Sequence, residues 1–211
     1  VSISSTAASG RSYWPVLAVR SAAALALAVV ITFSQDHSAH LGLVGFGVFA
    51  AVSAGLSLWL TLRARLPRST RTLLAVHAAV GLLAGILALA LTGAGTPAFL
   101  AIVTAYALVA GVLELFAGIR ERRASSLLAT EWIAGGVLTL LLAAALLVLP
   151  PDLAQDYTGP DGVARQLTAA IVGVGLLGAW AAIVGVYWAI AAVSVRGSRA
   201  RHPLEKTGEA S

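Results

Sequence analysis

Arg20, His77 and Glu131 occupy one repeated position, ending Leu17-Ala18-Val19-Arg20, Leu74-Ala75-Val76-His77 and Leu128-Ala129-Thr130-Glu131. Each sits early in a long apolar run. Glu114 lies in another run, three residues after Gly111, where Leu58 and Trp188 hold the corresponding places after Gly55 and Gly185. A charge inside a membrane span is costly, so such residues are rarely incidental. Arg20 could grip Glu131 or Glu114 through paired hydrogen bonds. With two carboxylates and one permanent cation, balance would need a protonated His77 or a protonated Glu. Ser21 and Thr130 could add hydrogen bonds. Three readings follow: a polar clasp that fixes helix register, a proton- or solute-handling site, or separate groups that snorkel to the interface or bond backbone carbonyls. The clasp is the expectation carried forward.

The runs that carry these residues read as membrane spans. Of 211 residues, 59% are apolar and 11% charged, where a soluble domain has about a quarter charged. Six spans are expected: Trp14–Phe33, Leu41–Leu62, Thr72–Leu91, Pro97–Ile119, Leu127–Leu149 and Leu167–Val195. Each has about 20 residues or more, enough to cross the hydrocarbon core as a helix. Strict alternation of polarity is absent, which speaks against a β-barrel.

The net charge of +5 follows from basic residues at span ends, not from a nucleic-acid-binding face. Arg63, Arg65, Arg68 and Arg71 join spans two and three. Arg120, Arg122 and Arg123 join four and five. Arg196, Arg199, Arg201 and Lys206 follow span six, and Arg11 precedes span one. The other connections hold Asp36, Asp152, Asp156, Asp161 and the single cation Arg165. The positive-inside rule therefore places both termini in the cytoplasm. No cleavable signal peptide is expected, because Arg11 precedes a full-length span without a small-residue cleavage site. The arginine, alanine and glycine bias suggests a bacterial source, hence the cytoplasmic (inner) membrane.

The fold class expected is all-α, with six transmembrane helices as three parallel hairpin repeats within one membrane domain. The hairpins cover residues 14–63, 72–120 and 127–196, flanked by cytoplasmic segments 1–13 and 197–211 that read as unstructured. A longer third loop, from Pro150 to Arg165, reads as a structured or extended turn. Gly55, Gly81, Gly85, Gly111 and Gly185 are the candidate helix-packing positions, since small residues let helix backbones approach closely in lipid. Tyr13, Trp14, Trp59 and Trp132 read as interfacial anchors, whereas Tyr106, Trp180, Tyr187 and Trp188 read as packing residues.

Other chemistry finds little support. The chain has no cysteine, hence no disulfide or thiolate site. His37 and His40 beside Asp36 supply too few ligands for a metal, and the acidic third loop lacks calcium-loop spacing. Gly93-Ala94-Gly95-Thr96 reads as a tight turn, without the strand or lysine of a phosphate loop. No catalytic, cofactor or metal residues are assigned, and no enzyme is expected.

The hairpin repeat, Arg20, and the segment Ala105-Tyr106-Ala107-Leu108-Val109-Ala110-Gly111 followed by Glu114 resemble the HdeD-like acid-resistance membrane proteins. The resemblance spans Trp14 to Arg196 and is clearest in the middle repeat. It implies a small bacterial inner-membrane protein with a short internal repeat, linked to acid stress, and brings no residue-level chemistry. The first turn, Phe33-Ser34-Gln35-Asp36, lacks the aromatic-proline pair common there, and His77 stands where an acid is expected. The functional expectation is a non-enzymatic, stress-linked or scaffolding membrane protein. The alternatives are an accessory subunit of a larger membrane complex and a small transporter or proton-handling protein that uses the polar set. Expected partners are the lipid bilayer and either a larger membrane complex or further copies of the chain; nucleic acid is not among them.

Overall fold

The computed structural model describes the backbone of residues 3–63, 68–122 and 126–208, and the side chains of 15, 17–59, 61–63, 71–120, 122 and 129–194. Arg11, Tyr13, Trp14, Arg65, Arg68, Arg123, Arg196, Arg199, Arg201 and Lys206 lie outside the described side chains. The helices are α1 (Ile3–Phe33), α2 (Ala39–Arg63), α3 (Arg68–Ala90), α4 (Gly95–Glu121), α5 (Ser126–Leu147) and α6 (Ala169–Gly208). Five contain stretches long and apolar enough to cross a membrane: Ala39–Arg63, Arg71–Ala90, Gly95–Arg120, Ala129–Leu147 and Ala169–Ser194. In α1 the described apolar stretch is shorter, Leu17–Phe33. The chain is a multi-pass membrane protein by this pattern. Its outer surface agrees, because Val29, Leu83, Ile86, Ile190 and Val193 point outward with at least half their area exposed. Such residues suit lipid rather than water.

The backbone is helical from Ile3 and to Gly208, beyond the spans at both ends, where the sequence reads as unstructured. Alanine-rich and Arg/Lys/Glu-containing stretches have sufficient helix propensity to prolong a span once it has nucleated.

Packing sorts the helices into two sets. α2, α4 and α6 touch one another pairwise, so they form the inside of the bundle. Phe46, Phe99, Leu43, Leu177, Val103 and Val174, all from these three helices, are fully buried. Edge-to-face ring pairs join them, Phe46 to Tyr106 at 5.1 Å and Phe49 to Trp180 at 5.4 Å between centroids. α1, α3 and α5 complete a closed ring around this centre. Contact is closest between α2 and α3, α4 and α5, and α6 and α1. It is looser within the pairs α1/α2, α3/α4 and α5/α6.

Glycine accounts for the close pairs. A Cβ on Gly136 of α5 would meet the Leu115 amide nitrogen at 2.6 Å and the Gly111 carbonyl at 2.8 Å, so α4 and α5 touch backbone to backbone. A Cβ on Gly85 would likewise stand 3.1 Å from the Gly47 carbonyl across α2/α3, and one on Gly185 would stand 3.1 Å from the Leu25 nitrogen across α6/α1. Gly81 and Gly85 therefore face α2 inside the same chain. Gly111 packs on Gly136 and Leu140. Gly55 differs from the expectation: a Cβ there would meet nothing within 4 Å. Its place in the sequence pattern matches Gly111 and Gly185, but among the described residues none packs against it as others do there.

The all-α expectation needs one correction. The third loop folds as an antiparallel hairpin, β1 (Ala154–Thr158) paired with β2 (Ala164–Thr168), with Tyr157 opposite Arg165. Its reversal is made by Gly159-Pro160-Asp161-Gly162, where Gly162 takes φ +76°. The Asp161 carboxylate accepts a bond from the Val163 amide at 3.2 Å and pairs with Arg165 at 2.6 Å. Gln166 donates to Asp156 across the strands at 2.9 Å. Proline and glycine chemistry thus made a hairpin where the sequence reads only as a turn.

In the first connection Ser38 caps α2. Its hydroxyl accepts the Leu41 amide at 3.3 Å and donates to Asp36 at 2.9 Å, while its own amide donates to Asp36 at 2.8 Å. These bonds, the backbone one first, hold the Asp36 carboxyl below its ordinary range. His40 turns instead toward the Thr92 carbonyl, 3.3 Å away. Among the described residues no three His, Asp or Glu side chains converge on a metal position.

The packing gives a paired test. Gly136→Ala should lower stability by about 1–3 kcal/mol, because its methyl meets backbone that cannot yield. Gly55→Ala should be neutral or stabilising, by up to about 1 kcal/mol. Unfolding in mixed micelles measures both; equal losses would contradict the packing.

Candidate functional site

Three of the four sequence-identified ionisable residues meet. Arg20 on α1 donates through Nη2 to Glu114 Oε1 on α4 at 2.8 Å. His77 on α3 places Nε2 3.8 Å from the same oxygen, an ion pair only when the ring is protonated. The Arg20 and His77 side chains are 10% and 8% exposed, and that of Glu114 is 11%, so the pair is shielded from water. Trp188 on α6 completes the grip: the Arg20 guanidinium carbon stands 4.1 Å from its ring centroid. A desolvated cation over an indole gains about 2 kcal/mol or more.

Local sequence explains the convergence. α4 belongs to the inner set, so Glu114 points where the outer α1 and α3 can both reach it. Ser21, next to Arg20, donates to the Gly185 carbonyl at 2.8 Å and pins α1 to α6 at this level. That places the guanidinium against Trp188, one turn further along α6. Gly135 on α5 leaves the space that Glu114 fills, since a Cβ there would stand 3.1 Å from Glu114 Oε2.

Glu131 does not join the centre. It is buried, 6% exposed, yet among the described residues it makes no ion pair. The packing explains why: Arg20, His77 and Glu131 lie on α1, α3 and α5, the outer helices, while α2, α4 and α6 occupy the centre of the bundle. A shared position in the sequence pattern does not bring the three side chains together.

A small cavity adjoins the centre, lined by Arg20, Ser57, Leu74, His77, Glu114 and Trp132 among others. About 20 Å³ is open to water, room for about one molecule. His77 Nδ1 is buried without a hydrogen-bond partner. Trp132, expected at the interface, is instead 7% exposed and forms part of this wall. Trp188 was expected only to pack. The signal for its role was present: it holds the repeat position equivalent to Glu114, and both grip Arg20.

The geometry defines a polytopic membrane protein held by a buried charge centre. Residues 76–148, about a third of the chain, match the family described as "Short repeat of unknown function (DUF308)". The match begins beside His77 and takes in Glu114 and Glu131. No curated protein and no solved structure matches the chain.

Removing one partner of a buried pair leaves an uncompensated charge. Glu114→Gln should therefore destabilise the protein by about 3–5 kcal/mol. Arg20→Met should do the same, and the double variant should cost clearly less than the sum. Strict additivity in mixed-micelle unfolding would show that the pair contributes no coupling.

Proposed function

We propose that this chain is a non-enzymatic, HdeD-like scaffolding protein of the bacterial inner membrane, with a stress-linked role. In this reading the six helices form three parallel hairpin repeats about a pseudo-threefold axis, with both termini in the cytoplasm. Arg20, Glu114, His77 and Trp188 form a structural clasp that locks outer helices onto the inner set. The observation that carries this reading is the paired state of the centre. Arg20 is held from both sides by Glu114 and Trp188, and the adjoining space admits about one water. A solute path would need a larger polar opening that reaches these groups. The alternation of close and loose helix contacts around the ring supports the threefold arrangement, since it recurs once per hairpin. The short-repeat match over residues 76–148 supports the internal repeat.

The chain's lack of cysteine makes the topology straightforward to test. In intact cells, a membrane-impermeant maleimide should label His37→Cys and Gln155→Cys. Arg122→Cys should react only after lysis. The reverse pattern would invert the orientation and remove the cytoplasmic placement of the termini. After gentle solubilisation the protein should purify alone or with copies of itself. A stoichiometric larger subunit that survives purification would replace the scaffold reading with that of an accessory subunit.

A further inference from the structure

Glu131 is a carboxyl group within a span, on the second turn of α5, with no counter-charge among the described residues. Its Oε2 is buried and has no hydrogen-bond partner. The permanent cation of the centre, Arg20, is engaged by Glu114 at 2.8 Å and by Trp188 at 4.1 Å. His77 likewise faces Glu114. From α6, Tyr187 lies within electrostatic reach of Glu131 and donates its hydroxyl to the Thr130 carbonyl at 3.4 Å. From α4, Glu114 faces Gly135, one turn further along α5. Neither neighbour supplies a positive charge. The helix dipole adds little either: α5 begins at Ser126, its unpaired amides end at Ala129, and the effect fades beyond the first turn.

An anionic carboxylate in this place would bear a desolvation cost of several kcal/mol, with no counter-charge among the described residues to offset it. A buried charge without a partner neutralises instead. We propose that Glu131 is a proton-binding site of this protein, and that it holds its ligand, a single proton, as a neutral carboxylic acid within the folded bundle. The site is separate from the Arg20–Glu114 clasp and does not rest on it: Glu114 is an anion held by a cation, and Glu131 is an acid held by burial.

A neutral acid in an apolar setting is the form that reacts with a hydrophobic carbodiimide. The carboxyl oxygen bonds to the central carbon of the reagent, one C=N π bond breaks, and the acid proton passes to that nitrogen. The O-acylisourea then rearranges to an N-acylurea, so every atom of acid and reagent is retained. The experiment treats the full chain in native membranes with dicyclohexylcarbodiimide and locates the adduct by peptide mass mapping. The expected result is labelling of Glu131 at least ten-fold above Glu114. The label should decline as pH rises and should be absent from Glu131→Gln, whose neutral amide preserves shape. Infrared difference spectroscopy gives a second readout that needs no reagent access: a protonated-carboxyl C=O band in the wild type, lost in Glu131→Gln. Labelling of Glu114 in preference to Glu131 would overturn the proposal. So would absence of both label and band across the pH range. The band without the label would sustain the proposal and show only that the reagent is excluded.

Discussion

A guanidinium cannot give up its proton at any pH a cell reaches, so Arg20 imposes a permanent charge on a place that does not tolerate one. The bundle around it answers that constraint. Glu114 supplies the opposite charge, Trp188 supplies an aromatic face, and Ser21 fixes the height of α1 against α6. Each answer comes from a helix other than Arg20's own or ties α1 to one. The charge therefore converts three separately inserted helices into one register. Hydrophobic burial alone could not do this, because lipid is as apolar as the helix faces.

Close packing allows that register to be held. Where Gly136 meets Gly111 and Gly85 meets Gly47, backbones touch and dispersion contacts replace the missing hydrophobic drive. These contacts fall between helices joined on one side of the membrane and, for α6 and α1, between the two ends of the chain. The centre and the glycine seams are complementary. The seams set distance between helices, and the polar pair sets rotation and height.

Much of the helix layout was legible from hydropathy, since a span must be long, apolar and free of unmatched charge. Helix ends fell within a few residues of the expected ones, apart from the outward extensions of α1 and α6. The identity of the inner helices was not legible. All six faces are rich in Ala, Leu, Val and Gly, so no stripe distinguishes core from lipid. For that reason Glu131 and Glu114 were equal candidates to pair with Arg20, and only the interior position of α4 selects Glu114. Trp132 illustrates the same limit: an indole near a span end looks like an interfacial anchor whether it faces lipid or a cavity. Gly55 shows that a matching repeat position does not ensure a matching neighbour. The hairpin in the third loop was signalled by Gly159-Pro160-Asp161-Gly162, but strands of five residues carry too little alternation to read against the surrounding apolar runs.

That hairpin also changes how α6 is attached. Thr168 ends β2 and Ala169 begins α6, with no residue between them, and the Ala169 amide donates back to the Leu153 carbonyl at 3.1 Å. The connection has no slack. The exposed strand pair therefore runs straight into the helix that carries Trp188, so the outermost part of the chain and one wall of the charge centre belong to a single continuous stretch of hydrogen-bonded backbone.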